Sequence, residues 1–120
     1  MKKTTLVIGA SLNSTRYSNI AIKKLRNKNI KTYAIGLKSG NVLDVFIEKE
    51  KVPFTDVNTV TLYLNPKRQK DYYQYVIGLK PNRVIFNPGT ENEEFYKLLF
   101  ENNIKYEVAC TLVLLSTNQY

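Results

Sequence analysis

The sequence contains no histidine, no tryptophan and a single cysteine, Cys110. Without histidine, the chain has no imidazole for acid–base catalysis, for phosphohistidine chemistry or for metal ligation. One cysteine cannot form an internal disulfide or a cysteine-cluster zinc site, and low cysteine use is typical of a cytoplasmic protein. These absences exclude His-based catalysis and metal sites built on His or on a cysteine cluster. They favour binding over catalysis, and we name no catalytic residue and no metal ligand.

Long apolar runs are also missing. No run approaches the roughly 18–20 residues that a membrane-spanning helix needs, and we expect no membrane partner. The basic start Met1–Lys3 is followed too soon by Gly9 and a polar stretch to be a signal peptide. With 120 residues, 43% hydrophobic and 23% charged, the chain has the size and composition of one globular domain over residues 1–120.

Acidic residues are absent from the first third of the chain. Residues 1–40 hold nine of the 18 basic residues and none of the ten acidic ones, so they carry a charge of +9, whereas residues 41–120 carry a net −1. Such a concentration of charge favours an anionic partner. Charge alone would also fit a nucleic acid, but the sequence contains no nucleic-acid-binding motif, and we disfavour that partner.

Strand and helix patterns alternate along the chain. The segments with the short, β-branched character of buried strands are Thr4–Ile8, Lys31–Ile35, Thr59–Leu64, Arg83–Phe86 and Lys105–Val108. Helical patterns cover Tyr17–Asn27, with Tyr17 on its inner stripe, then Asn65-Pro66 to about Leu79, and a segment after a capping box at Thr90 and Glu93. Asp44–Ile47 could add a short strand, and periodicity does not decide whether Thr111–Leu115 is strand or helix. This alternation predicts a three-layer, Rossmann-like, doubly wound α/β fold with a mainly parallel sheet of about five strands.

The loop between the first strand and the first helix is the most informative segment. In this fold, ligands bind outside the carboxyl ends of the strands. The loop Gly9–Asn19 offers hydroxyls, amides, backbone N–H groups and the guanidinium of Arg16, all of which suit a phosphate at a helix N-terminus. The same residues also fit a helix start that is merely well capped, because the second and third glycines of the dinucleotide fingerprint are missing. The spacing does not decide between these interpretations.

Charge differs at the ends of the other strands. The loop Gly36–Gly40 contains Lys38 and no acid, whereas an NAD site usually has Asp or Glu there. Lys38 would favour a ribose phosphate, as in NADP or coenzyme A, although a solvated loop lysine is an equally good interpretation. Glu91, Glu93 and Glu94 would repel a phosphate from the later helix, so we expect Asn87-Pro88-Gly89 to shape a pocket wall through its backbone. We expect Lys23, Lys24 and Arg26 to form a solvated helix face and Cys110 to be a small core thiol.

A resemblance adds to this interpretation. The residues Val7-Ile8-Gly9-Ala10-Ser11, Asn13, Arg16-Tyr17-Ser18-Asn19, Asn87-Pro88-Gly89 and Cys110, in this order and spacing, resemble the small stand-alone CoA-binding domain proteins. That family is similar to the Rossmann-like CoA-binding domain of succinyl-CoA synthetase alpha subunits. The resemblance covers essentially the whole chain and implies that Gly9–Ser11, Arg16 with the helix start, and Gly36–Lys38 hold the CoA nucleotide. Members often have Pro where this chain has Ser14, many have Gly where it has Asn29, and the synthetase's active histidine has no counterpart.

We therefore predict a small cytoplasmic protein that binds coenzyme A or an acyl-CoA without catalytic residues of its own. The candidate ligand contacts are Gly9, Ala10, Ser11, Asn13, Arg16, Tyr17, Ser18, Gly36, Lys38, Asn65, Pro66, Asn87, Pro88 and Gly89. The main alternative is an NADP-binding, redox-sensing or regulatory protein. Further alternatives are a basic surface for nucleic acid and a fold that has lost its ligand and serves as part of an assembly. The candidate partners are a small-molecule nucleotide and a second copy of the chain in a homodimer.

Overall fold

The protein is described from a computed structural model, which covers residues 3–120. Within those residues, one sheet contains seven strands, β1 (Thr5–Ala10), β2 (Thr32–Gly36), β3 (Gly40–Val42), β4 (Val45–Glu48), β5 (Thr59–Leu62), β6 (Arg83–Phe86) and β7 (Lys105–Val108). The α-helices in the same range are α1 (Tyr17–Asn27), α2 (Pro66–Gln69), α3 (Tyr73–Leu79), α4 (Glu93–Glu101) and α5 (Thr111–Ser116). A 3₁₀ turn over Lys70–Tyr72 joins α2 to α3.

The strand order β3-β4-β2-β1-β5-β6-β7 confirms the predicted Rossmann-like, mainly parallel sheet. Only β3 and β4 pair antiparallel among the described strands. From β1 the chain moves outward to β2, and it later returns to the other side of β1 at β5. The strand order therefore reverses between β1 and β5, which is where this class of fold binds its ligands.

The predicted number of about five strands is too low, because β3 and β4 add a hairpin. Val42 pairs with Val45, so the turn contains only Leu43 and Asp44, and Leu43 has φ +54°. Hairpin turns with positive φ normally use Gly, Asn or Asp. A leucine in that position, after a strand of three residues, carries no sequence signal of a turn. The expected strand Asp44–Ile47 accordingly captures only the second half of the hairpin.

Both faces of the sheet are covered, as three layers require. Along β1, Leu6 and Ile8 face one core with α3 and α4, while Val7 faces the other core with α1 and α5. All of these strand side chains are fully buried. The alternation shows why β1 is a continuous apolar run, since a central parallel strand buries both of its faces.

The helix starts differ in part from the prediction. The helix α1 spans the predicted residues, but Tyr17 is 71% exposed rather than on the inner stripe, because it lies in the first turn before the helix reaches the sheet. The helix α4 begins after Asn92, whose side-chain oxygen accepts a hydrogen bond from Phe95 N. The predicted capping box at Thr90 is wrong, since the Thr90 hydroxyl donates to Asn87 O instead.

The segment after β5 begins as predicted and then breaks. Asn65 caps α2 by accepting a hydrogen bond from Arg68 N, and Pro66 occupies the first helical position. The predicted single helix is interrupted after Gln69, a fully buried residue whose amide donates to Leu64 O and Thr90 O. The undecided segment near the C-terminus is the helix α5. No helix among residues 3–120 combines the length and hydrophobicity that crossing a membrane requires.

Candidate functional site

The site lies where the carboxyl ends of β1, β2 and β5 meet. Gly9 has φ +93°, and a Cβ atom there would lie 2.9 Å from the backbone carbon of Tyr63. A Cβ atom on Gly36 would lie 2.3 Å from Ala10 O. Both glycines therefore permit backbone contacts that a side chain would block. Of the predicted residues, this geometry brings together Gly9, Ala10 and Gly36.

The loop after β1 is braced by its own polar side chains. The Ser11 hydroxyl accepts a hydrogen bond from Asn13 N at 3.0 Å. The Asn13 side-chain oxygen accepts from Thr15 N at 3.0 Å and from the Thr15 hydroxyl at 2.7 Å. These contacts hold the loop around Ser14 in place. Because the side-chain oxygens of Ser11 and Asn13 are used within the loop, these residues serve first to shape it.

The N-terminus of α1 lacks the features that usually satisfy a helix start. Arg16 occupies the capping position without a side-chain capping hydrogen bond, and the first turn contains no acidic residue. Arg16 and Tyr17 are exposed, while Ser18 is buried. Arg16 forms no salt bridge with any residue in the range 3–120. Orphan N–H groups, the positive end of the helix dipole and a free guanidinium together favour an anion here.

Asn19 was not among the predicted contacts, although it lies in the first turn of α1. It is 2% exposed, and its amide nitrogen donates to Ser11 O at 2.9 Å. Its side-chain oxygen, Oδ1, is buried and has no hydrogen-bond partner among the described residues. A buried acceptor left in this state costs about 1–3 kcal/mol. The sequence signal for Asn19 was its position in the first turn of the helix that follows the loop, three residues after Arg16.

Three further predicted residues lie at the same edge of the sheet. Lys38 follows β2, is exposed, and forms no salt bridge with the described part of the chain. Asn65 and Pro66 follow β5 and begin α2. The side chain of Asn65 is engaged in capping, so its remaining contribution to a ligand would come from the backbone.

The segment Asn87-Pro88-Gly89 lies at the end of β6, one strand beyond β5. The Asn87 side chain is 2% exposed and donates to the Thr61 hydroxyl at 2.7 Å and to Leu62 O at 2.9 Å. Its oxygen accepts from Thr111 N at 2.8 Å. Asn87 therefore joins β5, β6 and α5, whereas Pro88 and Gly89 are exposed. The structure separates this segment from the meeting point of β1 and β2.

Two basic residues of α1 form side-chain contacts, whereas we expected them to lie on a solvated face. Arg26 donates to both carboxylate oxygens of Asp44 at 2.8 Å, and this hydrogen bonding lowers the pKa of Asp44. Lys24 donates to the Ser116 hydroxyl at 2.9 Å. The helix is thereby tied to the β3–β4 hairpin and to α5. Among the basic residues of the first 40, Arg16 and Lys38 are exposed at the carboxyl edge of the sheet.

Cys110 and Tyr63 lie near this edge on the α1 and α5 side. Cys110 precedes α5 and is half-buried, so it is not the fully buried core thiol that we expected. The Tyr63 hydroxyl is buried without a hydrogen-bond partner among residues 3–120, and burial strongly raises the pKa of Tyr63. Within the same range, no group of three or more Cys, Asp or Glu side chains is arranged to hold a metal ion.

Comparison with known proteins gives a family and a set of related folds. A family model described as "CoA binding domain" matches residues 3–116. A crystal structure titled only as an uncharacterized protein is 43% identical, with a TM-score of 0.96, and the match covers 100% of this chain and 99% of that one. A hypothetical protein from Pyrococcus horikoshii OT3 is 25% identical, with a TM-score of 0.85 and coverage of 97% and 83%.

A protein from Thermus thermophilus shares the fold, with a TM-score of 0.82 at 21% identity and coverage of 99% of this chain and 91% of that one. No curated protein matches the sequence. The family match agrees with the resemblance seen in the sequence, and the solved structures carry the same arrangement of strands and helices over nearly the whole chain.

Proposed function

Because this chain belongs to the CoA-binding domain family, we propose that it binds coenzyme A or an acyl-CoA where β1, β2 and β5 end. The family supports a role in binding CoA, and the residues present fit the nucleotide end of that ligand. The observation that carries the assignment to this edge is the N-terminus of α1, which has no capping side chain and no acidic residue in its first turn.

The diphosphate is the part of CoA that suits this helix start. Backbone N–H groups of the first turn would donate to the phosphate oxygens, and Arg16 would add its guanidinium. The Gly9 conformation lets the loop approach a ligand through its backbone, and the hydrogen bonds of Ser11 and Asn13 hold that loop in place. A preformed loop loses less entropy when the ligand binds.

Lys38 would interact with the ribose 3′-phosphate, which distinguishes CoA from dephospho-CoA. Its loop follows β2 and contains no acidic residue, so it does not repel an additional phosphate. NADP, with a phosphate on its ribose, is the competing ligand that these features also fit.

A thermal-shift panel tests the proposal with CoA, acetyl-CoA, dephospho-CoA, NADP and NAD. A ligand present at about 100 times its Kd stabilises by about 2.7 kcal/mol, which for a chain of this size raises Tm by roughly 10 °C. We expect CoA or acetyl-CoA to give the largest shift and dephospho-CoA a smaller one. A larger shift with NADP would favour the NADP alternative, and no shift with any CoA species at millimolar concentration would refute the proposal.

A further inference from the structure

The strand β7 forms an outer edge of the sheet and is unusually exposed. Tyr106 is 40% exposed and Val108 is 54% exposed, and Phe100 on the adjoining helix α4 is 77% exposed. A groove of about 480 Å³ runs along this edge between Phe100, Lys105 and Tyr106. An exposed edge strand presents unpaired backbone groups that can pair with another strand.

The hydrogen bonding of β7 to β6 shows which backbone groups face outward. Ala109 N donates to Phe86 O at 3.1 Å, so the backbone groups of Ala109 point toward β6. In a parallel pair, these groups alternate between the two sides of a strand. Lys105 and Glu107 therefore also point toward β6, whereas Tyr106 and Val108 present their N–H and C=O groups to the outside.

The charges of β7 select one antiparallel register for a second copy of the same strand. If the two-fold axis passes through Tyr106, the two copies of Tyr106 exchange backbone hydrogen bonds. Lys105 then lies directly opposite Glu107 of the second copy, in a pair whose side chains approach closely. Glu107 also accepts a hydrogen bond from Arg83 Nη1 of its own chain at 2.7 Å, so each Glu107 carboxylate would lie between Arg83 and Lys105 of the second copy. An axis through residue 107 would place Glu opposite Glu, an axis through residue 105 would place Lys opposite Lys, and an axis through Val108 would leave both charges without a charged partner from the second copy.

We propose that this chain forms a two-fold symmetric homodimer through β7, with a continuous sheet across the interface and Tyr106 at the axis. On one face of that sheet, two reciprocal Lys105–Glu107 pairs close the interface. On the other face, Tyr106 stacks on Tyr96 with ring centroids 4.4 Å apart, and Phe100 lines the same groove. Such an isologous contact is self-complementary, which a closed dimer requires.

The opposite edge of the sheet is a poorer candidate. The strand β3 has three residues, one of them Gly40, and it belongs to a hairpin fixed to α1 by the Arg26–Asp44 salt bridge. The strand β7 has four residues, apolar neighbours, and two charges that match their own two-fold image. These features favour a second copy of the chain over an unrelated partner.

Sedimentation velocity of the full chain over a range of concentrations tests the dimer. We expect the wild type to associate and Lys105→Glu to raise the dimer dissociation constant by about tenfold, because two like-charge pairs replace two opposite ones. The matched control Lys97→Glu makes the same charge change on the exposed part of α4 and should leave association unchanged. A wild type that stays monomeric at roughly 1 mM overturns the proposal.

A mixing experiment tests the register itself. Lys105→Glu and Glu107→Lys should each weaken self-association, yet a mixture of the two should form heterodimers, because all four charges at the interface again oppose. Glu107→Lys also removes the salt bridge to Arg83, so urea unfolding of each variant alone separates a lost dimer from a lost fold. Native mass spectrometry counts the mixed species, and random or absent mixing contradicts the register. Val108→Pro removes an outward N–H without touching the bonds to β6, so it should abolish the dimer while circular dichroism stays unchanged. A dimer that persists in this variant refutes pairing through β7.

Discussion

Two helices begin at the same edge of the sheet, and their first turns are built in opposite ways. The helix α4 is capped by Asn92 and carries Glu93 and Glu94 in its first turn. The helix α1 has neither a capping side chain nor an acidic residue, and Arg16 stands at its start. The protein itself supplies negative charge and hydrogen-bond acceptors to the start of α4 but not to that of α1. Of these two helices, α1 is therefore the one whose first N–H groups and positive dipole end can bind an external anion.

The start of α4 belongs to a buried polar network that stabilises the fold. The Asn92 amide donates to Gln69 Oε1 at 2.9 Å and to the Tyr73 hydroxyl at 2.8 Å. The Tyr73 hydroxyl in turn donates to Glu94 Oε1 at 3.0 Å. A helix start whose N–H groups are hydrogen-bonded within the protein contributes to stability. A helix start without such bonds, at the point where the strand order reverses, is available for a ligand. The predictions below separate these two contributions.

The largest effect should come from removing the cap of α4. We expect Asn92→Ala to lower the free energy of unfolding by about 3 kcal/mol, because it removes the cap and leaves Gln69 without its donor. Urea unfolding measures this loss. Calorimetric titration of the folded variant should give an unchanged Kd for CoA. A Kd that rises along with the loss of stability would show that the start of α4 also contributes to binding CoA.

The reverse result is expected at α1. Arg16→Ala should change the free energy of unfolding by less than about 0.5 kcal/mol, because this exposed side chain forms no salt bridge within residues 3–120. The Kd for CoA should rise by about tenfold with the loss of a charge-assisted hydrogen bond to phosphate. Lys97→Ala, which removes a cation from α4, serves as the control in the same calorimetric titrations. An equal change in both variants would mean that Arg16 acts only through net charge.

A third variant makes α1 resemble α4. Tyr17 is exposed in the first turn of α1, so Tyr17→Glu introduces an acidic residue there without disturbing the core. We expect the free protein to gain about 0.5 kcal/mol of stability and the affinity for CoA to fall by about fivefold, because the carboxylate competes with the phosphate for the helix dipole. Thermal unfolding with and without CoA measures both changes. Tighter binding of CoA would show that the phosphates lie elsewhere.

The smallest effect concerns the third phosphate of CoA. Lys38→Ala should weaken binding of CoA by about threefold through the loss of one solvent-exposed charge pair, and it should leave the affinity for dephospho-CoA unchanged. Titrations with both ligands at low and moderate salt give the comparison. Equal losses for the two ligands would place Lys38 away from the ribose phosphate.

The fold was largely predictable because its signals are local. The apolar run of β1 and the helical period of α1 are contained in consecutive residues, and the structure confirms both, although β1 continues through Gly9 to Ala10. The β3–β4 hairpin was missed because Leu43 adopts a positive φ that its side chain does not favour. The start of α4 was misplaced because Thr90 bonds back to Asn87 rather than forward into the helix.

The candidate site was predictable only in part, since its details depend on contacts between distant parts of the chain. Position after β1 indicated the loop and Arg16 as candidate contacts. Sequence did not show that Arg26 pairs with Asp44, that Asn87 holds Thr111, or that Asn19 keeps a buried oxygen without a partner. Each of these facts requires the three-dimensional packing of helices against the sheet.

The most direct test of the central claim is an ¹⁵N-resolved NMR titration of the full chain with CoA. Binding at the start of α1 predicts the largest amide shifts in residues 9–19 and 36–38, with little change at the first turn of α4. The shifts should saturate with one CoA per chain. Changes concentrated in residues 91–95, or along β7, with none in the loop after β1, would contradict the account.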